Sequence, residues 1–168
     1  MIKDDFPKNS LVVLGLGSNL GDSSLIILEA LKNLEFILSE LRRASLYETE
    51  PLHVTDQNLF INTAVTGFFK GTPTELLSVT GKIEMRFGRD RNKEKRWGER
   101  FLDIDILLFG DRIIKETLLE IPHPRLKERR FALEPLLELL PSAVEPGTGI
   151  SYQGVCSSLP DQGVRKMI

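Results

Sequence analysis

The chain has 168 residues, 41% hydrophobic and 27% charged, and its one cysteine, Cys156, excludes an intramolecular disulfide and a zinc site built on thiolates. No long apolar run or signal-type leader is visible, so we expect a cytoplasmic protein with no membrane partner. The net charge is −2, yet residues 82–130 hold 14 basic and 10 acidic residues within an otherwise acidic chain. This segment predicts a polyanionic ligand, from a nucleotide to a nucleic acid, and a solvated loop is the alternative.

The first half of the chain alternates patterns that are typical of strands and of one helix. Apolar residues 11–16 end in the glycine-containing turn of a buried strand. Apolar residues then recur at steps of four and three from Ile27 to Leu41, which predicts an amphipathic helix. Two strands separated by a loop are predicted next, the strands at residues 42–48 and 60–69 and the loop at 49–59.

The second half begins with a strong helix signal. Thr72 precedes a proline that suits the first helical position, and Glu75 completes a capping box. Gly88 is expected to end this helix. Residues 89–100 are too charged to be core, and residues 101–109 predict the last strong strand.

The order of these elements is β-α-β-β-α-β. That order predicts a ferredoxin-like α+β sandwich, in which both helices cover one face of an antiparallel sheet. A C-terminal extension follows, with a short helix at residues 131–140 that Pro141 ends. We expect one domain over residues 1–168 with its core at about 11–141, and residues 142–168 carry no further prediction.

Asp103 and Asp105 are the most informative residues in the chain. In a strand they share one face, while Ile104, Ile106 and Leu108 face the core. Two adjacent carboxylates on so apolar a strand need a cation or basic side chains to offset their repulsion, and Mg²⁺ accepts such ligands together with substrate phosphates. A pair that simply faces solvent is the more common alternative for this spacing.

The neighbourhood of the aspartates favours phosphate chemistry. Basic side chains and one tryptophan precede them: Arg89, Arg91, Lys93, Lys95, Arg96, Trp97 and Arg100. Carboxylates for a metal and guanidinium groups for the remaining phosphate charge are what phosphoryl transfer requires. His123, between two prolines, is either a ligand of a phosphate or base or an ordinary turn residue.

Two familiar nucleotide motifs are imperfect or absent. Residues 15–21, GLGSNLG, resemble a dinucleotide fingerprint, but the third glycine falls one place late and the element order is not that of a Rossmann unit. We expect these glycines to allow a tight turn or a close approach to a ligand. The P-loop consensus is missing, so any ATP must be held mainly by side chains.

Four blocks together resemble the 6-hydroxymethyl-7,8-dihydropterin pyrophosphokinases, enzymes of folate biosynthesis. The blocks are GLGSNLG at 15–21, YETEPL at 47–52 with DQ at 56–57 and FIN at 60–62, RWGERFLDID at 96–105, and IPHPRL at 121–126 with RRF at 129–131. The resemblance implies a ferredoxin-like fold and an enzyme of class 2.7.6. Its reaction would transfer the pyrophosphoryl group of ATP to the hydroxymethyl group of a reduced pterin and release AMP.

The resemblance also implies roles for single residues. Two Mg²⁺ ions would bind Asp103 and Asp105, which join Arg89 and Arg100 as catalytic residues. The residues that would contact ATP are Glu84, Arg91, Trp97, Arg100, His123 and Arg129. The residues that would bind the pterin, with its ring stacked between the two phenylalanines, are Thr49, Glu50, Leu52, Phe60, Asn62 and Phe131.

The expected mechanism is in-line attack by the pterin hydroxyl on the β-phosphorus of ATP. A monomer is expected, with no nucleic-acid partner, and the product would pass to dihydropteroate synthase. Two alternatives stay open at this stage. One is a polymerase-palm or cyclase-like enzyme, which would release pyrophosphate, and the other is a ferredoxin-like RNA-binding module, whose aromatic consensus is absent here.

Overall fold

A computed structural model describes residues 9–51, 57–88 and 101–167. The strands are β1 (Asn9–Ser18), β2 (Leu38–Arg43), β3 (Tyr47–Thr49), β4 (Phe60–Lys70), β5 (Asp103–Phe109), β6 (Ile114–Lys115), β7 (Glu120–Ile121) and β8 (Val164–Lys166). The α-helices are α1 (Ser23–Leu34), α2 (Pro73–Arg86), α3 (Arg130–Leu139) and α4 (Tyr152–Ser158), and a 3₁₀ turn spans Leu126–Glu128.

One antiparallel sheet organises the described part of the chain. Its strand order is β5-β1-β4-β3-β8, and β2 pairs with β4 beside β3. β6 and β7 form a separate two-stranded hairpin. β1 lies between β4 and β5, as its continuous apolar run predicts. The predicted α+β sandwich with an antiparallel sheet is therefore confirmed.

Helices cover both faces of this sheet. α1 and α2 share one face, where their side chains pack with β1, β4 and β5 around residues such as Leu34 and Leu76. α3 and α4 cover the other face through a second apolar cluster that includes Leu133 and Tyr152. The C-terminal extension thus supplies a second helical layer. No helix in the described ranges is long and apolar enough to cross a lipid bilayer.

The first helix is shorter than its periodicity predicts. It ends at Leu34, where the N–H of Ile37 donates to the carbonyl of Leu34 at 3.0 Å, and Leu38 and Leu41 lie on β2 instead. Leu38 is 3% exposed and belongs to the same core as α1. Its apolar character reflects burial in a strand, which a spacing of three and four cannot distinguish from a continuing helix.

The strand predicted at residues 42–48 is divided in two. β2 begins earlier, at Leu38, and its register against β4 shifts between Ser39 and Arg42. Glu40 has a φ of +52° within this irregularity. β3 then starts only at Tyr47 and pairs with the beginning of β4. The interruption lets one edge of β4 accept two successive short strands.

A bulge in β5 changes which of its residues face each helical layer. The register against β1 shifts between Val13 and Leu14. Leu107 and Leu108 consequently both pack under α3 and α4, whereas Ile106 faces α1 and α2. The prediction that Leu108 faces the same way as Ile106 is wrong, because the extra residue of the bulge interrupts the alternation.

The helices α2 and α3 confirm the predictions from their sequence signals. Thr72 Oγ1 accepts the N–H of Glu75 at 3.2 Å, and the Glu75 carboxylate accepts the N–H of Thr72 at 2.7 Å. Gly88, with a φ of +86°, follows the last turn of α2. α3 agrees with the helix predicted at 131–140 to within one residue at each end. The tail beyond it forms α4 and β8, and β8 pairs with β3.

Candidate active site

The two aspartates lie at one edge of the sheet. β1 ends at Ser18 and β3 at Thr49, while β4 begins at Phe60 and β5 begins at Asp103. Because these neighbouring strands are antiparallel, the four strand ends meet at the same edge. The candidate phosphate-binding and pterin-binding residues on these strands are thereby brought to one place.

Asp103 and Asp105 project from the same face of β5, as their spacing predicts. In the sheet register Asp103 pairs with Gly17 and Asp105 pairs with Gly15, both on β1. Gly17 pairs on its other side with Asn62 of β4. Directly paired residues share a face, and glycine has no side chain. Asp103 and Asn62 therefore stand two strands apart, or roughly 10 Å, on the same face of the sheet, and the glycine between them leaves the backbone uncovered.

The close approach predicted for the glycines is visible at Gly17. A Cβ atom added there would lie 2.8 Å from Asn62 Oδ1. Asn62 is 5% exposed, and its Nδ2 donates to Thr49 Oγ1 at 3.0 Å. Phe60 pairs with Thr49 in the register and shares its face. The pterin-binding candidates on β3 and β4 thus form one continuous patch.

The carboxylate of Asp105 has two partners from later in the chain. His123 Nε2 lies 3.6 Å from Asp105 Oδ2, and an Arg129 guanidinium nitrogen lies 3.5 Å from the same oxygen. The Arg129 guanidinium also stands 5.4 Å from the centre of the Phe131 ring, a cation–π contact. These contacts join one predicted metal ligand, two predicted ATP ligands and one of the predicted pterin-stacking rings.

His123 is held as a neutral imidazole. Its Nδ1 accepts the N–H of Arg125 at 3.1 Å. Burial, followed by the positive charges of Arg129 and Arg125, lowers the pKa of His123 to about 4. At neutral pH the proton therefore resides on Nε2, which faces Asp105. The side chain is a directed N–H donor at the candidate site, and its predicted contact with ATP stays a prediction.

Glu84 of α2 is buried and bonds to the strand that carries the two aspartates. It is 2% exposed, and its Oε1 accepts the N–H of Ile104 at 2.7 Å. Ile104 stands between Asp103 and Asp105, so this bond from α2 fixes the backbone that carries both carboxylates. The predicted contact of Glu84 with ATP stays a prediction.

Several predicted site residues lie outside the described residues. They are Leu52 of the pterin-binding set and the basic segment Arg89, Arg91, Lys93, Lys95, Arg96, Trp97 and Arg100. Glu50 is described and exposed, and it lies against Gly163 of the tail, where an added Cβ would meet the Glu50 side chain at 3.2 Å.

Sequence reasoning missed two connections at this edge. Asn19 is 1% exposed, and its Nδ2 donates to Gln57 Oε1 at 3.2 Å and to the Asn58 carbonyl at 3.4 Å. The glycine-rich turn is thereby tied to the segment that precedes β4. Gln162 of the tail contacts the backbone beside Arg129. An asparagine within a turn was a weak signal for the first connection, and the sequence held no signal for the second.

The donor set suits a cation that is bound together with phosphates. Among the described residues no cluster of three or more His, Cys, Asp and Glu side chains could hold a metal ion. Asp103 and Asp105 therefore offer two carboxylates, and Mg²⁺ commonly takes one or two carboxylates while substrate phosphates and waters complete its shell. The residues fit Mg²⁺ in this form and do not form a cage built of protein ligands alone.

Comparisons with known proteins agree on one family. The sequence model described as 7,8-dihydro-6-hydroxymethylpterin-pyrophosphokinase (HPPK) matches residues 13–141. The 2-amino-4-hydroxy-6-hydroxymethyldihydropteridine pyrophosphokinase of Aquifex aeolicus is 40% identical over 136 residues, covering 80% of this chain and 83% of that protein. The Bacillus subtilis protein of the same name is 41% identical over 133 residues, covering 78% of each chain.

Other relatives are longer. The Folate synthesis bifunctional protein of Arabidopsis thaliana is 48% identical over 130 residues, which cover 77% of this chain and 27% of that protein. This chain thus spans about a quarter of the length of that relative. A crystal structure of Plasmodium falciparum HPPK-DHPS matches with a TM-score of 0.71 at 18% identity, covering 92% of this chain and 45% of the other. At this identity the match shows a shared fold.

Proposed function

The chain belongs to the 7,8-dihydro-6-hydroxymethylpterin-pyrophosphokinase family, and from this membership we propose that it transfers the pyrophosphoryl group of ATP to 6-hydroxymethyl-7,8-dihydropterin in folate biosynthesis. The enzyme would be a diphosphokinase of class 2.7.6. The observation that carries the proposal is the pairing of Asp103 with Gly17 and of Gly17 with Asn62. This register supports a cation and phosphate site beside a site for a flat heterocycle on one face of the sheet.

Asp103 and Asp105 would hold Mg²⁺, and we propose two ions. When bound, Mg²⁺ neutralises phosphate charge and orients the triphosphate. The two carboxylates leave most of the coordination shell to phosphate oxygens and water, in keeping with the preference of this ion.

Residues around the aspartates would complete the nucleotide site. Arg129, 3.5 Å from Asp105, brings a guanidinium to where phosphate oxygens would lie. His123 would donate from Nε2 without adding positive charge. Arg89, Arg91, Trp97 and Arg100 would contact ATP from the basic segment, and Arg100 would offset charge on AMP or on the group in transfer.

The reaction would proceed by in-line attack on the β-phosphorus. A bond forms between the pterin hydroxyl oxygen and the β-phosphorus, while the bond from that phosphorus to the oxygen bridging to the α-phosphorus breaks. AMP leaves with the electron pair. The hydroxyl proton would pass to water, Asp103 or Asp105, because no strong general base is evident among the described residues. Most of the rate enhancement would come from positioning and charge stabilisation.

The pterin would lie over the patch on β3 and β4. Phe60 and Phe131 would stack on its ring, and Thr49, Glu50 and Leu52 would line its edge. Because Asn62 Nδ2 donates to Thr49, Asn62 Oδ1 is left to accept a hydrogen bond from an N–H of the ring.

We also propose how the protein is used in the cell. It would act as a monomer in the cytoplasm, with no nucleic-acid or membrane partner, and its product would pass to dihydropteroate synthase.

The deciding experiment is incubation with ATP, Mg²⁺ and the reduced hydroxymethylpterin, followed by separation of the nucleotide products. We expect AMP, and we expect Asp105→Asn to slow its formation by about 100-fold or more, because the carboxylate charge is lost while the shape is kept. Asp111→Asn, at an exposed position of the turn after β5, is the matched control and should act like the wild type.

The opposite results are equally clear. Pyrophosphate in place of AMP would favour a cyclase-like enzyme. RNA binding with a steep salt dependence and no turnover of ATP would favour the RNA-binding module. An Asp105→Asn protein with near-normal AMP formation would overturn the metal assignment.

A further inference from the structure

The tail reaches back to the candidate site through one side chain. Gln162 Nε2 donates to the carbonyl of Glu128 at 2.8 Å, and Gln162 Oε1 accepts the N–H of Arg130 at 2.9 Å. These two backbone groups belong to the residues immediately before and after Arg129. The Gln162 amide therefore bonds to the backbone on both the N-terminal and the C-terminal side of Arg129.

The backbone of Arg129 is bonded within its own segment: its N–H donates to the Leu126 carbonyl at 3.3 Å, and its carbonyl accepts the N–H groups of Ala132 and Leu133 at 3.1 and 3.0 Å. The N–H of the next residue, Arg130, bonds to the tail instead. Arg129 precedes the first residue of α3 and is extended, with φ −120° and ψ 99°, and its own side chain makes no capping hydrogen bond. The first N–H groups of a helix have no partner within the helix. Gln162, 32 residues further along the chain, supplies an acceptor for the N–H of Arg130 and so adds a long-range restraint to the local bonds that hold Arg129.

We propose that Gln162 is a positioning residue, which sets the direction of the Arg129 side chain and of the neighbouring Phe131 ring at the active site. The inference rests on the proposed function for its kinetic consequence. Arg129 lies 3.5 Å from Asp105 and its guanidinium lies 5.4 Å from the centre of the Phe131 ring. A change in the Arg129 backbone would therefore alter the phosphate side and the pterin side of the site together.

The tail also pairs with β3, on the side of the candidate site opposite α3. Val164 of β8 pairs with Thr49 of β3, and Gly163, with a φ of +64°, lies against Glu50. Gln162 is thus covalently continuous with a strand that is bonded to the pterin-binding strand. It follows that the segment from Gln162 to β8 links the two walls between which the pterin ring would be stacked, and helps to set their separation.

The test compares two substitutions of the same kind in the tail. Gln162→Met keeps the length of the side chain and removes both hydrogen bonds. Gln153→Met, on the exposed face of α4, is the control, because Gln153 bonds to Ser157 of its own helix. Both proteins are studied well below their thermal midpoints, with folding checked by circular dichroism.

The first measurement does not depend on activity. In ¹⁵N-labelled protein the Nε–H resonance of Arg129 reports its place over the Phe131 ring, because the ring current shifts nearby protons. We expect Gln162→Met to move this resonance and Gln153→Met to leave it in place. An unmoved resonance in Gln162→Met would overturn the inference.

The second measurement is kinetic. The two lost bonds should raise the KM for the pterin roughly tenfold in Gln162→Met, with a smaller change in kcat. Gln162→Glu keeps the acceptor for Arg130 and should recover part of the loss. A moved resonance with wild-type KM would overturn the role in substrate binding. If the wild-type protein makes no AMP while the Arg129 resonance still moves in Gln162→Met, the proposed function is overturned and the positioning role is supported.

Discussion

At the scale of single residues, the candidate site depends on a side chain that is absent. Gly17 lies between Asn62 and Asp103 in the register and leaves the sheet bare between them. Any larger residue would enter the space beside Asn62 Oδ1. The absence of a side chain at Gly17 therefore keeps open space at the candidate site, as the expected close approach to a ligand requires.

Gly17→Ala should weaken binding of the pterin selectively. The new Cβ would lie 2.8 Å from Asn62 Oδ1, so Asn62 must turn and lose its 3.0 Å bond to Thr49. We expect the KM for the pterin to rise about tenfold, as loss of one or two hydrogen bonds implies. The KM for ATP should change little, because no Asp103 atom lies within 4 Å of the added Cβ.

Gly81→Ala is the matched control for this substitution. An added Cβ there meets nothing within 4 Å, and the residue lies inside α2. Alanine in a helix is more favourable than glycine by about 1 kcal/mol, so this variant should be slightly more stable and fully active. Equal effects of Gly17→Ala on the KM values of both substrates would contradict the assignment of Asn62 to the pterin.

His123 should make the folded protein sensitive to acid. Its pKa is lowered by burial and by Arg129 and Arg125 to about 4, against 6.5 for a free histidine. Between these values the unfolded chain binds more protons than the folded one, so the free energy of unfolding falls as the pH falls from about 6.5 to about 4. Below that range this contribution changes no further.

The measurement is urea unfolding of the metal-free protein at several pH values, for the wild type and for His123→Asn. As the pH falls from about 6.5 to about 4, the free energy of unfolding of the wild type should decrease by up to about 3 kcal/mol more than that of the variant. Parallel curves for the two proteins would show that His123 does not remain neutral in the folded state.

At the scale of elements, local signals predicted the helices better than the strand pairings. The capping residues of α2 act within three positions of one another, so the sequence alone indicated where that helix begins. The end of α1 was not predicted, because Leu38 is apolar for burial in β2. β8 could not be predicted at all. Its three residues, Val164–Lys166, show no apolar alternation, and its place depends on pairing with β3.

Glu138, near the C-terminal end of α3, should be a strong point of attachment between elements. Its carboxylate accepts the N–H of Ser45 at 3.1 Å, the hydroxyl of Ser45 at 2.9 Å and the hydroxyl of Tyr47 at 2.7 Å. Lys166 of β8 lies 3.4 Å away. Burial alone would raise the pKa of Glu138, but the hydrogen bonds from Tyr47 and Ser45 outweigh it and lower the pKa.

Glu138→Ala should lower the free energy of unfolding by about 2 kcal/mol, because the 5%-exposed Tyr47 loses its acceptor. Since the pKa of Glu138 is lowered on folding, this stabilisation is present above its ordinary pKa and is lost in acid. Chemical denaturation at pH 7 measures the difference. Glu29→Ala, at an exposed site of α1, is the control and should stay within about 0.5 kcal/mol of the wild type. A similar change in the free energy of unfolding for both variants would show that the contacts of Glu138 add no stability beyond that of an exposed glutamate.

At the scale of the whole molecule, the site combines one feature that the sequence reveals with others that it hides. Because side chains alternate between the two faces of a strand, the sequence alone predicts that Asp103 and Asp105 share one face. Their pairing with Gly17, and the approach of Arg129 to Asp105, depend on contacts between distant segments, which no local pattern encodes. Family resemblance supplied the identities of those residues, and the fold supplies the distances between them.

The two apolar layers should unfold together, because both pack on the same sheet. Leu76 in the layer of α1 and α2, and Leu133 in the layer of α3 and α4, are each 0% exposed. Leu76→Ala and Leu133→Ala should each lower the free energy of unfolding by about 2–5 kcal/mol and keep a single transition. Far-ultraviolet circular dichroism follows the whole chain, and near-ultraviolet absorbance follows tyrosines such as Tyr152, the first residue of α4, which is buried in the layer of α3 and α4. If the two signals separate in Leu133→Ala, the C-terminal layer unfolds on its own and the expectation of one domain is wrong.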